Sequence, residues 1–196
     1  MKVGLFFGSF NPIHLGHLAV VRYWLNETDL QEIWLVVSPH NPHKLPTELA
    51  PAPDRLRMVQ LAIQGDPLVR ACEVEFQLPR PSYTIQTLEH LKRSYAEHTF
   101  VLLLGADAAA ALPTWREGHR LLSEGPIWVY PRKGTSEEEL PASPHLLFFS
   151  EAPRIDLSAT QIRKHLHEGR SVRYWVPSAV EAYIYARGLY GTHASA

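Results

Sequence analysis

Two histidines, His14 and His17, close the segment Gly8-Ser9-Phe10-Asn11-Pro12-Ile13-His14-Leu15-Gly16-His17, which joins an apolar run to an amphipathic one. If the first run is a strand and the second a helix, the two imidazoles lie on one face of the first helical turn. Backbone N–H groups and the positive helix end then face a single point, which makes an anion site. Gly16 is read as room for a phosphate chain close to the backbone, so that both imidazoles address one phosphate. Near the other end of the chain stands Ser158-Ala159-Thr160-Gln161-Ile162-Arg163. Ser158 with Gln161 fits a capping box, which alone describes a well-capped helix. Arg163, one turn inside, adds a guanidinium able to fork onto the same anion. Two helix starts would then hold opposite ends of a triphosphate.

Other chemistries fit less well. A tetrahedral zinc site needs three or four protein ligands; the single cysteine, Cys72, falls in a different predicted strand, and His40 and His43 would join His14 and His17 only by chance of folding. Neither the Gly-x-x-x-x-Gly-Lys-Ser/Thr phosphate loop nor the Gly-x-Gly-x-x-Gly dinucleotide fingerprint occurs.

The elements that must position these groups follow from hydrophobic period. Lys2 to Phe7 reads as a strand, Leu15 to Leu25 as a helix and Ile33 to Val37 as a second buried strand. Ser38 to Pro53 carries five prolines, two histidines and Lys44, and reads as a long binding loop. Asp54 to Ile63 reads as helix, Leu68 to Val74 as strand and Thr84 to Tyr95 as helix; Thr99 to Leu104 is the strongest buried strand. Thr114 is expected to cap a short helix through Leu122, and Ile127 to Tyr130 and Leu146 to Phe149 read as strands around a disordered loop from Pro131 to Pro144. Helices from Ser158 to Glu168 and from Pro177 to Gly188 close the chain. The alternation predicts an α/β fold, a Rossmann-like parallel sheet covered by helices on both faces, with its ligand at the carboxyl ends of the strands. One domain, 1–196, with a small C-terminal helical portion over about 156–190, is expected from a chain of 196 residues that is 45% hydrophobic.

A balance of 19 Lys+Arg against 20 Asp+Glu offers no field for gripping a nucleic acid polymer. The longest apolar stretch, Phe100 to Leu112, is broken by Asp107 and far shorter than the roughly 20 residues that span a bilayer, so no membrane partner is expected. One cysteine and no leader-like segment fit a reducing, cytoplasmic setting. Arg132 and Lys133, a basic pair after a strand, could approach a substrate phosphate, although such pairs are usually solvated surface.

The segment from Gly8 to His17 resembles the HxGH signature of the nucleotidyltransferase superfamily, and Ser158-Ala159-Thr160-Gln161-Ile162-Arg163 is similar to its Ser-x-Thr-x-x-Arg signature. Within it the chain looks most like the bacterial nicotinate-nucleotide adenylyltransferases over nearly its whole length. Pro42-His43-Lys44, Pro81-Ser82-Tyr83-Thr84 with Thr87-Leu88, Gly105-Ala106-Asp107 and Trp115 fall in the family's order. The resemblance implies transfer of AMP from ATP to nicotinic acid mononucleotide, giving deamido-NAD and pyrophosphate by direct attack on the α-phosphorus, with Mg²⁺ carried mainly by the ATP phosphates and no protein metal site. It implies His14, His17 and Arg163 as the charge-dispersing catalytic groups. Gly8, Ser9, Phe10, Gly105, Asp107, Ser158 and Thr160 would form the ATP site; Lys44, Tyr83, Thr84 and Trp115 would form the pyridine nucleotide site.

Trp115 could stack on the electron-poor pyridine ring, or simply pack in the core. Backbone N–H groups of Tyr83 and Thr84 could recognise a carboxylate without a buried cation. The chain departs from the family at Asn11 (commonly Asp), Phe7 (often Gly), Ala159 (often Ser) and Asn41 (frequently Pro). Three alternatives stay open: nicotinamide mononucleotide as acceptor, another phosphate acceptor such as phosphopantetheine, and a nucleotide-binding regulatory protein without turnover. Whether a homo-oligomer forms is also open.

Overall fold

The structure, a computed structural model, describes residues 1–39 and 49–192. Among these, strands and helices alternate: β1 Lys2–Gly8, α1 Leu15–Glu27, β2 Glu32–Val37, α2 Ala52–Ala62, β3 Val69–Cys72, α3 Thr84–Ser94, β4 Thr99–Gly105, α4 Ala106–Ala110, α5 Gly118–Glu124, β5 Ile127–Tyr130, β6 Leu146–Phe148, α6 Ala159–His167 and α7 Ser178–Arg187. Every strand pair is parallel, in the order β3-β2-β1-β4-β5-β6. Chain order reverses between β1 and β4, and in a doubly wound sheet the crevice at that reversal is where a ligand lies. The carboxyl ends there are Gly8 and Gly105.

The central strands are apolar on both faces, as parallel strands covered on both sides must be. Phe6, Ile33, Leu35, Val101, Leu103 and Trp128 face one core, which α1, α2, α6 and α7 close through Trp24, Met58, Ile162 and Ile184. Their neighbours Leu5, Trp34, Val36, Leu102 and Val129 face the other core, closed by α3, α4 and α5 through Leu88, Ala109 and Leu121. The Rossmann-like expectation is met. None of the described helices is long and apolar enough to cross a membrane.

Several local expectations are corrected. The helix expected from Thr114 to Leu122 is a 3₁₀ turn, Leu112–Thr114, followed by α5 from Gly118. Thr114 Oγ1 donates to the Ala111 carbonyl at 2.7 Å instead of capping, and Glu117 adopts a left-handed conformation that breaks the run. The strand expected over Leu68 to Val74 is shorter, because a 3₁₀ turn takes Val74–Phe76. Residues 131–144, expected to be disordered, take up defined turns: Arg132 bridges Thr135 around the left-handed Gly134, and Ser136 caps a 3₁₀ turn at Glu137–Glu139. The short helix α4 has no counterpart in the sequence expectation.

Candidate active site

The loop from Gly8 to His14 leaves β1 and turns into α1 at the sheet's crevice. Phe10 has a left-handed backbone, φ 45°, and its ring folds back over Gly8, where a Cβ would come within 2.9 Å of it. The Phe10 side chain is therefore core, edge-on to Phe6 and His17. Ser9 is buried, and its Oγ has no hydrogen-bond partner among the described residues. Behind the loop the wholly buried Arg55 donates to four backbone carbonyls: Nη1 to Ser9 at 2.6 Å and Ser38 at 2.7 Å, Nη2 to Pro39 at 2.7 Å, and Nε to Ala50 at 2.9 Å. Burial pulls this guanidinium below its ordinary value. A sequence signal existed: Arg55 shares the apolar stripe of α2 with Met58 and Val59.

His14 occupies the N-cap position of α1 and His17 the third helical position. Their rings stack with centroids 3.7 Å apart and an interplanar angle of 28°. The His14 backbone N–H donates to His17 Nδ1 at 3.2 Å, so in neutral His17 the proton is left on Nε2 as a donor. His14 Nδ1 is buried without a hydrogen-bond partner among the described residues. Burial, and next the charge of Arg132, lower the His14 pKa from the ordinary 6.5 to about 4, so it is neutral at pH 7. A Cβ on Gly16 would meet His14 Nδ1 at 2.9 Å, so the missing side chain makes room for the His14 ring, and Gly16 also lines the cleft over the turn. The first amide of the helix, Leu15 N–H, donates to the Trp175 carbonyl at 2.9 Å and is not offered to an anion.

A cleft of about 290 Å³ opens over this turn and brings His14, His17, Gly105, Asp107, Ser158 and Thr160 together. Gly8, the last residue of β1, and Ser9 after it are not among the residues that line it. Ser158 Oγ accepts from Gln161 N–H at 3.2 Å and caps α6. Arg163 is not in the cleft lining; its Nη1 donates to the Asn11 carbonyl at 3.0 Å and its Nη2 to Thr160 Oγ1 at 3.3 Å, tying α6 to the loop. Arg132, whose place directly after β5 was its only signal, does line the cleft, 3.8 Å by Nε from Asp107 Oδ2. Its aliphatic stem crosses Gly105, where a Cβ would lie 2.8 Å from Cγ. Tyr130 lies beside it, and burial pushes its phenol up to about 12, so it remains protonated. The cleft thus offers donors of either kind, neutral N–H and O–H groups and a guanidinium, all suited to phosphate oxygens. No cluster of three or more His, Cys, Asp or Glu able to hold a metal occurs among the described residues.

On the other side of the sheet, Tyr83 caps the start of α3 without a side-chain hydrogen bond, and the Arg116 guanidinium lies 4.7 Å over its ring. Thr84 opens the helix, and Trp115 is half-buried against the same core. The sequence reading missed Glu75. Its buried carboxylate accepts from Ser82 Oγ at 2.9 Å and Thr87 Oγ1 at 2.8 Å, pinning the chain on both sides of Tyr83 and Thr84. Lys44, with His40, Asn41 and His43, lies outside the described residues.

The cytidylyltransferase-like family model matches residues 5–165. A Bacteroides fragilis protein named as a probable nicotinate-nucleotide adenylyltransferase is 45% identical over 181 residues, 91% of this chain and 89% of that protein. The chain belongs to the nicotinate-nucleotide adenylyltransferase family. A second member named in the same way, from Thermus thermophilus, is 42% identical over 190 residues, covering 97% of this chain and 100% of that protein. In fold, the chain is similar to the Plasmodium falciparum nicotinic acid mononucleotide adenylyltransferase solved with NaAD, at a TM-score of 0.81 and 19% identity, with 99% of each chain covered.

Proposed function

We infer that this adenylyltransferase family member transfers AMP from ATP to nicotinic acid mononucleotide, forming deamido-NAD and pyrophosphate. The observation that carries the reading is the stacked His14–His17 pair at the β1–β4 crevice, facing Arg132 and the capped start of α6 across one cleft. An oxygen of the mononucleotide phosphate attacks the ATP α-phosphorus, and the bond from that phosphorus to the bridging oxygen breaks as pyrophosphate leaves. The protein's work is to align two anions and to disperse the charge that builds between them.

His17, with Nε2–H as donor, suits the charge that develops on the transferring phosphate. Neutral His14 fixes the His17 ring by stacking and by its backbone N–H, and can donate or accept one hydrogen bond itself. Arg132, Ser158 and Thr160 suit the departing pyrophosphate end, and Asp107 at the exposed rim suits a ribose hydroxyl. Arg163 serves this reading through the loop it holds, with its remaining N–H groups available to the nucleotide. Gly8, Ser9 and Gly105 keep the backbone close to the ATP site, whereas Phe10 supports it from the core. Tyr83, Thr84, Trp115 and Lys44 belong to the pyridine nucleotide side, where Trp115 offers a ring face and the start of α3 offers amides to a carboxylate.

The described residues fit a divalent ion, Mg²⁺, carried by the triphosphate, because Asp107 is the one carboxylate among the described residues lining the cleft. Bound there, the ion would neutralise phosphate charge. A cytosolic setting suits the buried free thiol of Cys72. Product analysis tests the reading: ATP and nicotinic acid mononucleotide should yield deamido-NAD and pyrophosphate in equal amounts, whereas AMP without dinucleotide would contradict it.

A further inference from the structure

The residue furthest along the described chain that touches the phosphate-binding loop is Tyr190. It follows α7, which Gly188 ends in a left-handed conformation, and Tyr190 repeats that conformation with φ 59°. A non-glycine residue there is strained, and such strain persists only where the surroundings over-determine it. The phenol OH of Tyr190 donates to Asn11 Oδ1 at 2.8 Å, across 179 residues of sequence. The same oxygen accepts from Ala50 N–H at 3.0 Å, while the Asn11 carbonyl accepts from Arg163 at 3.0 Å and the Ser9 carbonyl from Arg55 at 2.6 Å. Between Ser9 and Asn11 stands Phe10, itself left-handed. Ser9 and Asn11, on either side of Phe10, are therefore held from behind by α2, by α6 and by the segment after α7.

We propose that Tyr190 is a positioning residue for the adenylyl transfer: through Asn11 it fixes the Ser9–Asn11 turn, and with it the placement of His14 and His17 against the phosphates. The proposal rests on the functional reading above. Asn11 suits this use better than an aspartate suits it in isolation, because a neutral amide oxygen accepts from the phenol and the Ala50 amide without burying a charge. Burial also raises the Tyr190 pKa, so the phenol remains a donor throughout the neutral range. Tyr183 supplies an internal comparison, for its OH donates to Asp54 Oδ1 at 2.7 Å between α7 and α2, away from the loop. Both hydroxyls tie the C-terminal portion to the body of the fold, and one of them reaches the loop.

The test compares Tyr190→Phe with Tyr183→Phe in the full chain. Tyr190→Phe should lower kcat by about tenfold with each KM within about twofold, since small misplacement of reacting groups acts on kcat. Combined with Asn11→Ala it should add little further loss, as expected for two residues acting through one contact. Amide exchange over residues 8–14 should quicken by about tenfold in Tyr190→Phe, whereas Tyr183→Phe should match the parent protein in both exchange and kcat. A parental kcat in Tyr190→Phe, or an equal loss in Tyr183→Phe, would overturn the proposal. If the parent protein turns over no substrate, the functional reading fails while the exchange comparison still decides whether Tyr190 holds the loop.

Discussion

Replacing Gly16 by alanine places a methyl group where the His14 ring already sits. The added Cβ would lie 2.9 Å from His14 Nδ1, 3.0 Å from Cε1 and 3.3 Å from Ile155 Cγ2. Ordinary contact between such atoms is roughly 3.5–4.0 Å, so the ring must retreat by roughly 0.5–1 Å. His14 is 4% exposed and stacked on His17 at 3.7 Å, so a displaced ring alters the geometry of the pair. A misplacement of about 1 Å at a reacting centre costs about 10²-fold, equivalent to about 2.7 kcal/mol of barrier. Stability should change less, by about 0–2 kcal/mol, because alanine gains about 1 kcal/mol over glycine within a helix against ~1–3 kcal/mol of overpacking. Initial rates of pyrophosphate release, with thermal unfolding measured in parallel, separate the two effects. A folded Gly16→Ala protein with parental kcat would refute this account of the histidine pair. A raised KM for ATP at unchanged kcat would instead favour a phosphate passage over Gly16.

Three further expectations concern His14, Arg132 and Glu75. His14 titrates near 6.5 when unfolded and at about 4 when folded, so the unfolded chain binds more protons between those values and stability rises with pH; up to about 3 kcal/mol is present above pH 6.5 and lost as pH falls to about 4. Urea unfolding at pH 7.5 and 4.5 checks this, and an equal pH dependence in His14→Gln would exclude His14 as the source. Arg132→Gln should move the His14 midpoint upward, still below 6.5 because burial is the larger cause, and should raise the KM for ATP about tenfold through loss of one charge-assisted hydrogen bond. An unshifted His14 resonance titration would count against that coupling. Glu75→Ala removes the acceptor of the buried Ser82 hydroxyl and leaves Thr87 Oγ1 only its longer bond to the Tyr83 carbonyl, and should destabilise by about 2 kcal/mol while raising the pyridine nucleotide KM more than that of ATP; equal changes in the two KM values would reduce Glu75 to a stability role.

The sheet was legible because its strands are buried on both faces, and runs such as Thr99 to Leu104 and Ile33 to Val37 need no tertiary knowledge to be read. Gly8–His17 was placed by the carboxyl end of β1, whereas Ser158–Thr160 begins α6 well beyond the end of β6 at Phe148, and its meeting with the first motif depends on how the chain returns to the cleft. What was illegible depends on contacts between distant segments. Gly16 looks like space for a ligand, and only the fold shows that its missing side chain also admits the His14 ring. Leu15 N–H looks like an anion donor until Trp175 is found capping it. Arg163 and Arg132 exchange prominence for the same reason: a guanidinium's reach is decided by its neighbours, and Asn11 claims one while the β4–β5 edge aims the other into the cleft. The 112–124 region was misread because Thr114 turned its hydroxyl to Ala111, a local competition that spacing does not reveal. Arg55, Glu75 and Tyr190 act on backbone or on side chains far off in sequence; Arg55 alone carries a local signal, its place on the apolar stripe of α2.

The acceptor preference tests the central claim most directly. With ATP and Mg²⁺ in common, pyrophosphate release is compared for nicotinic acid mononucleotide, nicotinamide mononucleotide and phosphopantetheine. A kcat/KM for nicotinic acid mononucleotide about 10²-fold or more above the other two is the expected result, since a site built to hydrogen-bond a carboxylate leaves polar groups unpaired against the amide. Equal turnover of the two mononucleotides, or preference for phosphopantetheine, would contradict it.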